Sequence, residues 1–269
     1  MSAAEATFAL DKRRIAQHFN RAAQSYQQHN HLQRDCAALL QQEFDALTLA
    51  SSSVVLDVGC GPGVASGYLA ERCGHYFGLD IAPSMVAQAR MNHRALANQF
   101  ICADADALPI PDQSIDCIYS NLTLQWCTHL EQTLAELTRT LCTDGCLLAT
   151  TVLAGSLEPL ATVMRMVDGA QHSNRFLQVD DVQRALSSLK STHFQFTQQD
   201  FHYCYASARD MFGHLRGIGA NYTAREAGGL RSRAWLRAIE AALEPYRNER
   251  GFIQLKWNIG LIKAFKIDE

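Results

Sequence analysis

The stretch Val54-Val55-Leu56-Asp57-Val58-Gly59-Cys60-Gly61-Pro62-Gly63 decides the fold of this chain. Its first half is a nearly continuous apolar run, which is typical of a parallel strand buried on both faces. Its second half has glycine at every other position, so the backbone can bend tightly and approach a ligand that a Cβ atom would exclude. The stretch predicts a strand that ends in a ligand-binding loop. A tight turn without a ligand is the alternative.

Strand and helix patterns alternate after this stretch, and helical patterns precede it. The predicted strands cover residues 54–58, 75–80, 99–103, 114–120, 145–151, 193–205 and 252–266. The predicted helices lie within residues 11–48, 64–72, 83–93, 130–141, 156–190, 207–217 and 231–246. The alternation predicts an α/β fold with a doubly wound parallel sheet, whose ligands bind at the carboxyl ends of the strands.

We expect a single domain, because the sequence contains no Pro/Ser/Gly-rich or highly charged linker. Within it, residues 1–50 form an N-terminal helical segment and residues 51–152 form the cofactor-binding core. Residues 153–192 form a helical cap. Residues 193–269 complete the sheet and add further cap helices.

Charge is distributed unevenly along the 269 residues, whose formal net charge is −3. Residues 205–269 hold 11 Lys and Arg against 7 Asp and Glu, a net of +4, which leaves −7 on the remainder. The basic region could serve an acidic partner, although ordinary solvated helix faces explain it equally well. We expect no nucleic-acid partner, because basic and aromatic residues are not interleaved as in a nucleic-acid groove. We expect no membrane partner, because no apolar run approaches the length of a membrane span.

The nine cysteines are scattered, and none of them forms a CxxC pair or a Cys/His group at zinc spacing. We therefore expect neither a disulfide framework nor a metal site. A reducing, cytoplasmic location fits this pattern best.

The glycine spacing distinguishes between cofactors. Dinucleotide sites use G-x-G-x-x-G, and the helix that follows receives a pyrophosphate. Here the third glycine comes one residue earlier, and Pro62 lacks the backbone N–H that a phosphate would bind. The pattern favours S-adenosylmethionine, a nucleoside joined to an amino acid without phosphates, over NAD.

Polar residues end the next three strands. Asp80 could accept hydrogen bonds from both ribose hydroxyls, or could cap the helix that Pro83 opens. Asp104 could accept a hydrogen bond from the adenine amine, or could only stabilise its own loop. Asn121 follows the fourth strand and would face the reacting centre. Its surroundings lack the Asn/Asp-Pro-Pro-Tyr run of enzymes that methylate base amines.

Residues 54–151 resemble the core of class I, Rossmann-like methyltransferases. The resemblance rests on Asp57, Gly59, Gly61, Gly63, Asp80 and Asp104. It implies a seven-stranded sheet that is mostly parallel, with the last strand antiparallel. The expected cofactor site comprises Asp57, Gly59, Cys60, Gly61, Gly63, Asp80, Ile81, Asp104, Ala105, Asn121 and Leu122.

A narrower resemblance covers nearly the whole chain. Its motifs are Phe19-Asn20-Arg21-Ala22-Ala23, Tyr26, Leu32-Gln33, Ser120-Asn121-Leu122, Gln125-Trp126, Asn174-Arg175-Phe176 and Gly217-Ile218-Gly219-Ala220. They look like the BioC family of malonyl-acyl-carrier-protein O-methyltransferases, which begin biotin synthesis. The substrate implied is malonyl-acyl-carrier protein or malonyl-coenzyme A. Residues 235–269 carry no mark of this family.

Such a reaction needs no general base, because a carboxylate is ionised at neutral pH. It does need a group that recognises a small anion, and the planar fork of arginine is best suited. Our candidates for the catalytic and substrate site are Tyr26, Asn121, Arg175, Phe176 and Arg216.

Two other classes remain open at this point. One is another small-molecule methyltransferase, acting on a quinone carbon or on a free acid. The other is a catalytically silent protein that binds S-adenosylmethionine. A silent protein would be expected to have lost part of the glycine loop or an acid, and both are intact here.

Overall fold

Seven strands form one sheet in the computed structural model, which describes residues 11–23, 30–169, 176–217 and 232–268. The strands are β1 (Val54–Val58), β2 (His75–Asp80), β3 (Phe100–Cys102), β4 (Ile115–Asn121), β5 (Leu141–Val152), β6 (Thr192–Tyr205) and β7 (Ile253–Lys266). Their spatial order is β3-β2-β1-β4-β5-β7-β6.

The sheet is parallel from β3 across to β5. Strand β7 lies between β5 and β6 and is antiparallel to both. This confirms the predicted seven-stranded sheet with its last strand antiparallel. The strand order reverses between β1 and β4, which is where open α/β sheets bind their ligands.

Helices precede, cover and cap the sheet. They are α1 (Lys12–Ala22), α2 (His31–Asp45), α3 (Ser66–Ala70), α4 (Pro83–Asn92), α5 (Leu130–Thr140), α6 (Leu160–Asp168), α7 (Val179–Ser187), α8 (Ala208–Gly217) and α9 (Arg233–Leu243). Among the described residues, no helix is both long and apolar enough to cross a membrane.

The apolar run of β1 is explained by burial on both faces of the sheet. Leu56 and Val58 join one apolar cluster, with Ile118 of β4. Val55 joins the cluster on the opposite face, with Cys117 of β4. Because successive side chains of a strand point to opposite faces, a strand covered on both sides needs apolar residues at nearly every position.

The cap is built around strand β7. Trp257 is 2% exposed and belongs to a third apolar cluster, which includes residues of α6, α8 and α9. The segment 235–269, which resemblance left unassigned, therefore supplies the last cap helix and the strand between β5 and β6.

Most predicted elements lie within one or two residues of the observed ones, but β5 begins earlier than predicted and α3 is shortened at both ends. Strand β5 begins at Leu141 rather than at residue 145, because Leu141 pairs with Ile115 across an irregularity in the β4–β5 ladder. Helix α3 covers only Ser66–Ala70 instead of residues 64–72. The flanking residues of α3 form turns.

Candidate functional site

Two adjoining cavities lie at the carboxyl ends of β1, β2 and β4. The larger lobe has a volume of about 640 Å³ and the smaller lobe about 360 Å³. Gly59, Gly61 and Asn121 line both lobes. Because the two lobes share these lining residues, one ligand can extend across both.

The expected cofactor residues divide between the two lobes. Gly59, Gly61, Asp80, Ile81, Asp104, Ala105, Asn121 and Leu122 line the larger lobe. Asp57 and Cys60 line the smaller lobe. Gly63 is not among the described residues that line either lobe. Its carbonyl oxygen instead accepts a hydrogen bond from His93 Nε2 at 2.7 Å, so it shapes the turn behind the site.

Glycine is required at two positions of the loop for different reasons. Gly59 has φ +76°, and a Cβ atom there would lie 1.9 Å from Thr123 Oγ1. Gly61 has φ +55°, and a Cβ atom there would meet no atom within 4 Å. Gly59 is therefore fixed by packing, whereas Gly61 borders open space that a ligand can approach closely.

Asp80 ties the glycine loop to the end of β2. Its Oδ2 accepts the backbone N–H of Gly61 at 3.0 Å, and its Oδ1 accepts the backbone N–H of Ala82 at 2.8 Å. Burial raises the pKa of Asp80 to about 6, although these two bonds lower it. The carboxylate is thus held in one orientation beside the cavity, and it can still accept hydrogen bonds from a vicinal diol.

Asp104 lies at the other end of the larger lobe and is bound by a residue far away in the sequence. Lys12 Nζ lies 2.6 Å from Asp104 Oδ1 and 2.7 Å from Asp106 Oδ2. Burial alone would lower the pKa of Lys12, but the two carboxylates outweigh it and raise this pKa. One lysine is thus shared by two aspartates, so this end of the lobe has an excess of acidic groups.

Helix α1 covers the larger lobe. Ile15 and Phe19 line it together with Lys12, and Ile15 is only 2% exposed. Phe19 packs edge-on against Trp126, with ring centroids 5.3 Å apart. Apolar and aromatic walls with a few polar groups at the ends are typical of nucleoside pockets.

The smaller lobe is acidic and contains an unpaired acceptor. Gln33 is 9% exposed, and its buried Oε1 atom has no hydrogen-bond partner among the residues that the structure describes. Burial raises the pKa of Asp57 to about 7, the hydrogen bond from Tyr76 lowers it, and the charge of Asp80 raises it further. No Lys or Arg is among the described lining residues of this lobe. The lobe therefore suits a cationic group such as an amine.

Asn121 lies at the boundary between the two lobes and forms a hydrogen bond to helix α2. Its Nδ2 donates to the carbonyl oxygen of Gln33 at 2.8 Å, and its Oδ1 accepts from Thr150 Oγ1 at 2.7 Å. The next residue, Leu122, has φ +54°, a left-handed backbone that is uncommon for leucine. Asn121 thus holds α2 and Gln33 against the strand end.

Of the predicted catalytic and substrate residues, Asn121 lines both lobes, and the other described ones line neither. Phe176 packs on Trp257 in the cap, with ring centroids 6.4 Å apart. Arg216 is exposed on α8. Tyr26 and Arg175 lie outside the described residues.

Sequence reasoning missed Lys12 as a site residue and gave no role to Gln33, Phe19 or Trp126. The last three occur in the short motifs quoted above, so the motifs were an available signal. The sequence around Lys12 contained no signal of its role, because the acids that it binds are 92 and 94 residues away.

The site is suited to alignment rather than to acid–base catalysis. No histidine is among the described residues that line either lobe. A fixed carboxylate, an apolar wall and a cation-accepting lobe can bind and orient a nucleoside that carries an amino acid. Orientation alone can lower a barrier by roughly 7–11 kcal/mol.

Comparison with known proteins identifies similar sequences. A family model described as a methyltransferase domain matches residues 56–149. The chain is 38% identical over 213 residues to a malonyl-[acyl-carrier protein] O-methyltransferase of Enterobacter lignolyticus, covering 79% of this chain and 82% of that protein. A protein of the same name from Salmonella typhimurium is 36% identical, covering 87% of this chain and 90% of its own. The bifunctional biotin biosynthesis protein BioHC of Cellvibrio japonicus is 33% identical over 90% of this chain and 48% of its own.

Solved structures support the fold. The YcgJ protein of Bacillus subtilis superimposes with a TM-score of 0.63 at 19% identity, covering 86% of this chain and 98% of its own. A geranyl diphosphate C-methyltransferase of Streptomyces coelicolor, solved with S-adenosyl-L-homocysteine, gives 0.52 at 14% identity, covering 86% and 79%. At these identities the likeness concerns the fold alone.

The buried carboxyl of Asp57 generates a prediction about stability. Because its pKa is about 7 in the folded protein and 3.8 in an unfolded chain, the stability that its neutral form contributes is fully present below pH 4. That contribution is lost as the pH rises to about 7. Asp57→Asn should therefore be more stable than the parent above pH 7, by roughly 2–4 kcal/mol, since one pKa unit is about 1.4 kcal/mol.

Urea denaturation of the ligand-free proteins at pH 4, 6 and 8 measures this difference. Asp116→Asn, on the neighbouring strand β4 and half-buried, is the matched control. A difference between Asp57→Asn and the parent that does not grow with pH would contradict the assignment.

Proposed function

Because this chain belongs to the family of malonyl-[acyl-carrier protein] O-methyltransferases, we propose that it methylates the free carboxylate of a malonyl thioester on an acyl-carrier protein. The methyl donor is S-adenosylmethionine, and the methyl ester starts biotin synthesis. The observation that carries the proposal is the pair of lobes around Gly59 and Gly61, in a chain 38% identical to a relative of that name. The nine cysteines are all unpaired, which fits the reducing cytoplasm where we place the reaction.

The lobes fit the parts of the cofactor. Asp80 would accept hydrogen bonds from the ribose hydroxyls, and Asp104 would accept one from the adenine amine. Ile81 and Ala105 would flank the base, and Leu122 would wall the shared edge. Gln33 and Asp57 in the smaller lobe would receive the ammonium group of the amino-acid part. When bound, the cofactor supplies an electrophilic methyl group on a sulfonium.

The chain's residues would catalyse transfer by positioning and by excluding water. The malonyl carboxylate is already ionised and attacks without help from a base. Asn121, which links Gln33 to the end of β4, would keep the wall of the shared region rigid. Ile15, Phe19 and Trp126 would exclude water from the cofactor side.

Arg216 and Arg175 remain our proposed contacts for the malonyl carboxylate, and Tyr26 and Phe176 the proposed walls of the methyl end. Helix α8 supports this location for Arg216. Two residues before it, His214 packs edge-on against His31 of α2, with ring centroids 5.7 Å apart. Helix α8 therefore packs against α2, the helix that carries Gln33.

A basic face on α8 and α9 supports a protein-borne substrate. Arg209, Arg216, Arg233 and Arg237 are exposed, and none has a partner among the described residues. The acids of these helices are already bonded, since Asp210 accepts from Ser207 Oγ and Glu240 pairs with Arg247. Both helices lie at the carboxyl edge of the sheet, because α8 follows β6 and α9 precedes the antiparallel β7. Arg231, which the sequence groups with Arg233, lies outside the described residues.

The proposed reaction predicts which acceptor is labelled. With S-adenosylmethionine labelled in its methyl group, malonyl-acyl-carrier protein should become labelled as a base-labile ester. Free malonate and acetyl-acyl-carrier protein should not. Mass spectrometry of the carrier protein should show the mass of one added methyl group. Labelling of free malonate, or of a quinone in place of the carrier protein, would contradict the proposal.

The basic face predicts a salt-dependent loss of carrier recognition. Arg233→Glu combined with Arg237→Glu should raise KM for malonyl-acyl-carrier protein by about tenfold at low salt, because rim charges steer association. The effect should shrink as salt rises, since the Debye length falls from about 30 Å at 0.01 M to about 8 Å at 0.15 M. KM for malonyl-pantetheine, which lacks the carrier, should stay within about twofold of the parent because the reversed charges lie on the rim.

The matched control is Arg94→Glu with Lys190→Glu, an equal charge change at exposed positions near the amino ends of β3 and β6. It should leave KM for the carrier substrate unchanged. Equal losses in the two double variants would mean that net charge, rather than the α8–α9 face, attracts the carrier.

A further inference from the structure

Lys12 is the first residue of α1 and the only lysine or arginine among the described residues that line either lobe. Its side chain is 23% exposed, and its ammonium group bridges two carboxylates, Asp104 and Asp106. Asp104, one of the two bridged residues, is proposed to recognise adenine. Asp106, the other one, is not among the described residues that line the lobes.

Asp106 serves as an anchor for the bridge. Its Oδ1 accepts a short hydrogen bond from Thr133 Oγ1 of α5, and its Oδ2 accepts the backbone N–H of Thr128 at 3.4 Å. Burial alone would raise the pKa of Asp106, but its bonds to Lys12 and Thr133 outweigh it and lower this pKa. Lys12 therefore binds α1 to a rigid part of the core.

Asp104 is left with one oxygen for a ligand. Its Oδ1 is shared by Lys12 Nζ at 2.6 Å and by the backbone N–H of Asp106 at 3.0 Å. Its Oδ2 has no hydrogen-bond partner among the described residues. Two donors thus fix the carboxylate while the second oxygen stays available beside the larger lobe.

Helix α1 forms the outer wall of that lobe through Ile15 and Phe19. At its far end, Asn20 Oδ1 accepts the backbone N–H of Ser84 at the start of α4 at 2.9 Å. The helix is thus fastened at both ends by polar contacts, with an apolar face between them. A ligand that occupies the larger lobe would have this helix over it.

We propose that Lys12 is a positioning residue: it closes α1 over the larger lobe and, by the same contacts, holds Asp104 to receive an adenine amine. This inference rests on the proposed function and deepens it, since it names the residue that sets base recognition and cofactor exchange. Without Lys12, two neighbouring carboxylates would repel each other, and α1 would lose one of its two polar attachments.

Stopped-flow fluorescence with S-adenosylhomocysteine as the probe tests closure, because Trp126 lies under α1 against Phe19. Lys12→Met should raise the dissociation rate about tenfold or more without lowering the association rate, because it removes a charge-assisted contact that holds the bound state. Lys12→Arg should restore most of the parent rate, since a guanidinium can also bridge two carboxylates. Arg13→Met, one residue further along and exposed, is the matched control and should change neither rate.

A second ligand tests base recognition. S-inosylhomocysteine carries an oxygen where the adenine amine stands, so Asp104 should repel it. The parent should prefer S-adenosylhomocysteine by about tenfold or more, and Lys12→Met and Asp104→Asn should each lose most of this preference. In the double variant the losses should not add, as expected for residues in one network.

Steady-state kinetics completes the test. Lys12→Met should raise KM for the cofactor and leave KM for the malonyl substrate unchanged. A lowered melting temperature with unchanged rates and unchanged base preference would reduce Lys12 to a stabilising ion pair and overturn the proposal. Absence of S-adenosylhomocysteine binding by the parent would contradict the proposed function itself, so the two failures are distinguishable.

Discussion

The hydrogen bonds that fasten the glycine loop to the end of β2 are the constraint on which the site depends. The backbone N–H groups of Gly59 and Cys60 both donate to the carbonyl oxygen of Leu79, and that of Gly61 donates to Asp80. The chain leaving β1 is therefore turned across the end of its neighbour instead of continuing past it. This turn creates the two lobes, one toward β2 and β3 and the other toward α2.

The lobes are complementary in chemistry. The larger one is apolar along its walls and acidic at its ends, where Asp80 and Asp104 stand. The smaller one has a buried carboxyl and an unpaired amide oxygen, and none of its described lining residues is a Lys or Arg. A neutral nucleoside joined to an amino acid whose ammonium group enters the smaller lobe matches this arrangement. In the proposed reaction the protein mainly aligns the reactants. The carboxylate is already ionised, and the methyl group on the sulfonium is already electrophilic.

Short-range patterns predicted the strands and their parallel arrangement, whereas the antiparallel last strand was implied only by the family resemblance. An apolar run is enough to predict a buried strand such as β1, and Pro83 predicts the start of α4. The residues at strand ends were predictable for the same reason, since topology brings those ends together. Asp80, Asp104 and Asn121 could therefore be assigned to one site before their distances were known.

Contacts between remote segments could not be predicted from the chain. The bridge from Lys12 to Asp104 joins residues 92 positions apart, and nothing local to Lys12 distinguishes it from Arg13 or Arg14. Gly63 matched a motif, yet it packs on His93 rather than lining the site. Phe176 is proposed to wall the methyl end, and its contact with Trp257 was not predictable either, because an aromatic residue alone does not identify its packing partner.

The central claim is that the carboxylate of Asp80 organises an adenosine site, and calorimetric titration of S-adenosylhomocysteine into the parent and Asp80→Asn tests it most directly. Asparagine keeps the size of the side chain but removes one acceptor oxygen and the charge. The account predicts a dissociation constant raised by about 10- to 100-fold, the loss expected for hydrogen bonds to a charged group. The unfolding free energy should stay close to that of the parent, because relief of the buried charge offsets the one backbone hydrogen bond that the amide nitrogen cannot accept. An unchanged dissociation constant in a folded variant would contradict the account.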